Sequence, residues 1–142
     1  MLKAAQRGVD KVARERKNTP AVTLGITVLT SLDAAALAEI GITRTPAEQV
    51  ALLGQIAKEA GISGVVASPN EAALLREILG PRAYIVTPGV RLAGTDKGDQ
   101  SRVATPAEAF AAGASHIVIG RPITKSDDPA AAFDAIVESV EG

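Results

Sequence analysis

A three-part punctuation recurs along this chain and leaves few folds open to it. Thr45-Pro46-Ala47-Glu48, Ser68-Pro69-Asn70-Glu71 and Thr105-Pro106-Ala107-Glu108 each read hydroxyl, proline, any residue, glutamate. That order is a helix start. The hydroxyl accepts from a first-turn amide, the proline sits where no donor is needed, and the glutamate reaches back to the cap amide. Asp128-Pro129 opens a further helix in the same manner, without the glutamate. Stops follow at Gly61, Gly80 and Gly113, because glycine readily takes the left-handed conformation that ends a helix. After each stop comes a short β-prone run: GVVA at 64–67, YIVT at 84–87 and IVIG at 117–120, with AVTLGITVLT at 21–30 ahead of them. Unbroken apolarity marks strands covered on both faces, as in parallel sheets. With helices expected over 2–17 and 33–40, the pattern predicts an α/β fold of four parallel βα units with right-handed crossovers. That is half the strand count of a TIM (β/α)8 barrel, in one domain over residues 1–142.

Four parallel strands cannot close. Their outer edges would show unpaired amides and carbonyls. The inner face would meet water; residues such as Val65, Ile85, Val118 and Ile119 line it in a phase the sequence does not fix. A chain of 142 residues also falls short of the roughly 250 typical of a closed barrel. The expectation is a chain that pairs with another copy as a homo-oligomer, complements a missing half, or is a piece of a longer protein.

Composition removes several classes of function. The net charge is −1 and there are only three aromatics, Tyr84, Phe110 and Phe133, so neither a cationic field nor a stacking platform invites nucleic acid. Cysteine is absent, which excludes disulfides and thiol chemistry and fits a reducing compartment. One histidine and no cysteine argue against a zinc site. No apolar run approaches the ~18 residues of a membrane span. The basic amino terminus carries Asp10 and Glu15 and places Leu2, Val9 and Val12 at helical spacing, which suits a cover helix better than a targeting segment. A soluble, cytoplasmic protein with no membrane partner is expected.

Two strand ends carry the candidate chemistry. YIVTPGVRLAGTDKGDQ (84–100) and HIVIGRPIT (116–124) each break in Pro or Gly and then present an arginine, Arg91 and Arg121. Loops leaving the carboxyl ends of parallel strands gather on one face, where ligands bind. Two guanidiniums there would cradle a phosphate, because the planar fork matches its oxygens; two solvated loop arginines would leave the same trace. His116 begins its strand, away from that face, and reads as structural. Asp127-Asp128 reads as a helix start, and Lys3, Lys11, Lys17 and Lys58 as solvated.

In this order, the runs ITVLTSLD (26–33), GVVASPNEAALLR (64–76), VTPGVR (86–91), GDQSRVATPAEAFAAGA (98–114) and IVIGRPITKSDDPAAAFDAI (117–136) resemble bacterial orotidine 5′-phosphate decarboxylase. The resemblance covers essentially the whole chain and implies the carboxyl half of an eight-stranded barrel of the ribulose-phosphate-binding type, from the helix after strand four onward. It implies that Arg121 is the principal phosphate arginine with the Gly120 amide beside it, and that Arg91 is the loop arginine. Gln100 would be the loop amide that closes over phosphate and base, with Gly94 and Gly98 giving that loop freedom. Thr30 matches the level at which the family hydrogen-bonds the pyrimidine, although its hydroxyl could instead cap a helix that Asp33 could equally start. Ser31 is a secondary candidate, and Pro88 would line the pocket or simply form a turn.

The family's catalytic run, Asp-x-Lys-x-x-Asp at an earlier strand end, has no counterpart here. Asp96-Lys97-Gly98-Asp99 has the wrong spacing and resembles the loop that covers phosphate. The implied activity is decarboxylation of orotidine 5′-monophosphate (OMP) to UMP and CO₂ without metal or organic cofactor, with this chain inactive alone or slower by many powers of ten. Two alternatives stand beside it. One is a sister phosphosugar enzyme such as a 3-keto-gulonate-phosphate decarboxylase. The other is a non-catalytic half-barrel that binds nucleotide phosphate or assembles with a partner.

Overall fold

Short runs of β-branched and small residues pair side by side into one parallel sheet. In the computed structural model, which describes residues 1–91 and 104–141, the strands are β1 (Leu24–Ile26), β2 (Gly64–Val66), β3 (Tyr84–Thr87) and β4 (His116–Ile117). They lie in the order β1-β2-β3-β4, every neighbouring pair parallel. The helices are α1 (Leu2–Arg16), α2 (Ala34–Glu39), α3 (Pro46–Ala60), α4 (Ala72–Leu79), α5 (Pro106–Ala111), α6 (Arg121–Thr124) and α7 (Pro129–Glu141), of which α1, α3 and α7 are the longest. Successive strands that pair in order, each followed by a helix, make half of a TIM-type barrel.

The expected helix starts form for the reasons the sequence suggested. Thr45 Oγ1 accepts from the Glu48 amide at 3.3 Å while Glu48 Oε2 accepts from the Thr45 amide at 2.9 Å. Thr105 and Glu108 repeat the exchange at 3.2 and 2.8 Å. Backbone and then hydroxyl hydrogen bonds from the threonine hold both carboxyls below the ordinary glutamate pKa. Asp128 Oδ1 accepts from the Ala130 and Ala131 amides to start α7. The third motif differs: the Ser68 hydroxyl accepts from Asn70, and the chain makes a 3₁₀ turn at Pro69–Glu71 before α4 begins.

Strand pairing is shorter than the apolar runs. Only Leu24–Ile26 of the 21–30 run joins the ladder, and the last strand starts at His116 and pairs through Ile117. An outer strand has one neighbour and pairs only as far as that neighbour stays extended.

The register settles the phase the sequence left open. Gly25, Val65 and Ile85 are partners across three strands. Val65 and Ile85 are fully buried against Val50, Ala57, Leu75 and Leu37. Ile119 packs on the same side, with Val90 and Ala109. These residues therefore face the helices, a correction to the expectation that Val65, Ile85 and Ile119 line the inner face. Of the four named, Val118 belongs to the other face. It donates its amide to the Thr87 carbonyl and is 51% exposed. Ile26, next in sequence to buried Gly25, is 61% exposed, and Leu24 and Tyr84 are also exposed.

The amino ends of the strands are knotted by polar bonds. Thr23 and Ser63 exchange amide-to-hydroxyl bonds at 3.1 and 3.2 Å, and the Thr23 hydroxyl donates to Gln6 of α1. Arg76, on α4, fans its guanidinium onto four carbonyls: Gly113 (2.7 Å from Nη2), Gly80 (2.9 Å), Pro81 (3.1 Å) and Ala83 (2.8 Å), the last three from Nη1. That one side chain joins the end of α4, the approach to β3 and the turn before β4.

Gly64 pairs with Tyr84 across the β2–β3 ladder. A Cβ there would lie 2.0 Å from the Tyr84 carbonyl oxygen, and that oxygen is backbone, which cannot swing aside as a flexible side chain does. Gly64→Ala is expected to cost about 2 kcal/mol, read as a drop of roughly 6 °C in melting temperature. A melting temperature within error of the parent would show that the sheet opens there without strain.

Candidate functional site

The carboxyl ends of all four strands lie along one edge of the sheet, because the strands are parallel. Past β1 the chain continues to Thr30, which is 8% exposed, and to exposed Ser31. Asp33 starts α2, its Oδ1 accepting from the Ala36 amide at 2.9 Å, so capping there falls to Asp33 and not to Thr30. Past β3, Pro88 is half-buried and Gly89 takes φ +79°, a backbone state that glycine enters without penalty. Thr30, Ser31 and Pro88 share a cavity of about 190 Å³ with Ile26, Val66 and Ala67. Ligand pockets commonly run to about 300–1,000 Å³, so this one suits a ring-sized fragment of a ligand. Two aliphatic walls with hydroxyls at one side suit a flat heterocycle with polar edges.

The arginines leave the same edge. Arg91 lies four residues beyond the end of β3, and Arg121 opens α6 just beyond β4, and β3 and β4 are direct neighbours. Their settings differ. Arg91 is only 9% exposed; its amide donates to the Ala104 carbonyl at 3.0 Å and its Nη1 to the Val90 carbonyl at 2.8 Å. Arg121 is exposed, and exposed Gly120 before it accepts from the Ile123 and Thr124 amides. The edge thus offers one guanidinium held in the wall and one at the surface. Gln100, Gly94, Gly98 and the 96–99 run lie outside the described residues.

His116 starts β4, away from this edge. Its ring packs on Tyr84, with centroids 5.6 Å apart, and its Nδ1 lies 3.0 Å from Ser115 Oγ. Sequence reading overlooked Val66 and Ala67 as cavity walls. Counting one from a strand residue known to be buried, such as Val65, puts Val66 on the opposite face of the strand.

Comparison with known proteins settles the lineage. Residues 1–136 match the Orotidine 5'-phosphate decarboxylase / HUMPS family. The chain belongs to this family. Among individual relatives, an orotidine 5′-phosphate decarboxylase of Moorella thermoacetica is 54% identical over 99% of this chain and 56% of its own length. That of Pseudoalteromonas atlantica is 46% identical over 99% of this chain and 59% of its own. The crystal structure of orotidine 5′-phosphate decarboxylase from Lactobacillus acidophilus superposes with a TM-score of 0.77 at 36% identity, over 100% of this chain and 58% of that one. The chain therefore spans little more than half the length of the decarboxylases it matches. No helix among the described residues is long and apolar enough to cross a membrane.

Proposed function

We propose that this chain is the nucleotide-gripping, carboxyl-terminal half of an orotidine 5′-phosphate decarboxylase. Once completed by the other half, it would convert OMP to UMP and CO₂. The observation that carries the reading is the exit of Arg91 and Arg121 from the same end of adjacent strands in a chain of this family. In this scheme Arg121 and the Gly120 amide hold the phosphate from the open side and Arg91 from the wall, with Gln100 closing over phosphate and base. Thr30 addresses the pyrimidine edge in the cavity, with Ser31 and Pro88 beside it.

The phosphate is remote from the carbon that reacts, so its grip accelerates the reaction only if the binding energy organises the transition state. At the ring, the bond to the carboxylate breaks and its electron pair stays on the carbon. A proton then reaches that carbon from the lysine of the Asp-x-Lys-x-x-Asp run. That lysine belongs to the completing half.

The phosphate grip is tested on the chain itself by titrating UMP and uridine. A charge-assisted contact contributes about 1.5–3 kcal/mol, so Arg121→Ala should weaken UMP by about 10- to 100-fold. Uridine, which lacks the phosphate, should bind the variant and the parent equally. Unchanged UMP affinity would remove Arg121 from the site.

A further inference from the structure

Charge along this chain is sorted by position. Residues 2–17 hold six basic and two acidic side chains, residues 18–125 nine of each, and residues 126–142 five acidic and none basic. The three segments thus carry net charges of +4, zero and −5. Folding keeps the two charged ends apart. α1 packs on α3 and α7 on α5, so they end the helix layer on opposite sides, α1 beside β1 and α7 beside β4, the outer strands of the sheet.

Each end helix gathers its charge into a stripe. On α1, Lys3, Arg7, Lys11 and Arg14 are exposed and recur at the spacing that lines up one helix face. The two acidic groups of α1 are engaged locally: Asp10 accepts from Gln6 at 2.8 Å, and Glu15 lies 3.8 Å from Lys11. On α7, Asp134 and Glu138 are exposed one turn apart. Apolar surface accompanies both stripes, with Val12 exposed on α1 and Phe133 and Val140 on α7. Between the two helices the inner face of the sheet exposes Leu24, Ile26, Tyr84 and Val118.

Two copies can cover such a face about a two-fold axis in two ways. With the axis across the strands, the sheets run antiparallel, α1 meets α1 and α7 meets α7, and like charges oppose each other at both seams. With the axis along the strands, the sheets run parallel and α1 of each copy meets α7 of the other. We propose that this chain pairs with a second copy of itself in the parallel form, inner face to inner face. The apolar faces supply the driving force, and unlike charge at both seams selects the orientation. Each seam then holds two helices, where a closed barrel has one per strand. The outer strands therefore stay apart, and the pair is bridged by helices instead of by sheet hydrogen bonds. Parallel strands also bring both cavities and both sets of arginines to one end of the particle. The inference does not draw on the decarboxylase reading: titration with UMP decides that reading and leaves this one untouched.

The test is light scattering of the 142-residue chain, with a dye that reports exposed apolar surface. A particle of twice the 14.5 kDa of one chain that leaves the dye unbound is expected. Its dissociation constant should rise at least threefold between about 0.05 and 0.5 M salt, because screening weakens attraction between unlike charges. The antiparallel form requires the opposite trend. Arg7→Glu with Arg14→Glu, or Asp134→Lys with Glu138→Lys, should each weaken pairing roughly tenfold. Mixing the two variants should restore it, since both seams of the mixed pair again oppose unlike charges. All four side chains are exposed, so melting curves report whether the variants fold, and the salt series needs no variant. A monomer that keeps binding the dye, a larger assembly, or a pair that salt tightens or leaves unmoved would overturn the proposal. So would folded variants that pair as tightly as the parent.

Discussion

Release of CO₂ from carboxyl-labelled OMP should stay at the uncatalysed rate with this chain alone and rise by at least about 10⁴-fold when the completing polypeptide is added. That factor is the upper range for a positioned proton donor, and the phosphate grip adds to it. The reasoning is a division of labour along the edge of one sheet. Arg91, Arg121 and the Thr30 cavity stand at the carboxyl ends of four strands, while the Asp-x-Lys-x-x-Asp spacing occurs nowhere in the chain. Replacing the lysine of the completing piece by alanine should return the mixture to background. Arg121→Ala in this chain should lower the rate of the mixture at saturating OMP as well as weaken binding, because phosphate binding is used in the transition state. Turnover by this chain alone would place a proton donor among its own residues and end the proposal. A complex of correct mass that stays silent would end it equally.

The other large effect concerns stability. Arg76→Ala removes the one donor group shared by the carbonyls of Gly80, Pro81, Ala83 and Gly113. Hydrogen bonds from a charged donor are each worth about 1.5–3 kcal/mol, and stranded carbonyls add their own desolvation cost. A total loss of about 4 kcal/mol is a large share of the ~5–15 kcal/mol of a typical domain. The melting temperature should fall by roughly 12 °C. Arg76→Lys should recover little, since one ammonium cannot reproduce a planar fork directed at separate segments. Melting within about 2 °C of the parent for both variants would show that water replaces the guanidinium at no cost.

Arg76 also marks where sequence reasoning stops. In GVVASPNEAALLR it looks like a solvated cation near a helix end, and its partner Gly113 is 37 residues away. No local pattern encodes that meeting. The helix starts were legible because everything they need lies within four residues, as at Thr45–Glu48 and Thr105–Glu108. Strand order followed from the alternation of elements, but the facing of Val65 and Ile85 did not. Unbroken apolar runs carry no period, and only the pairing of Gly25, Val65 and Ile85 beneath the helices fixes it.

The site was legible to a similar depth. The two arginines followed from what ends a strand, and their shared edge follows from parallel pairing. The contrast between them did not: the burial of Arg91 depends on the chain returning at Ala104 to accept its amide. Whether Thr30 capped a helix was open until Asp33 was seen to do so.

The cross-links through Arg76 and through Thr23, Ser63 and Gln6 all lie at the ends of the strands opposite the cavity. Those bonds tie the floor of the molecule together without using a residue of the cavity. Loops at the rim can exchange residues, lengthen or change their charge while the register beneath them holds. On such a scaffold the preference for one phosphorylated compound over another can drift at small thermodynamic penalty, and a lineage can acquire a new substrate before its fold has to change.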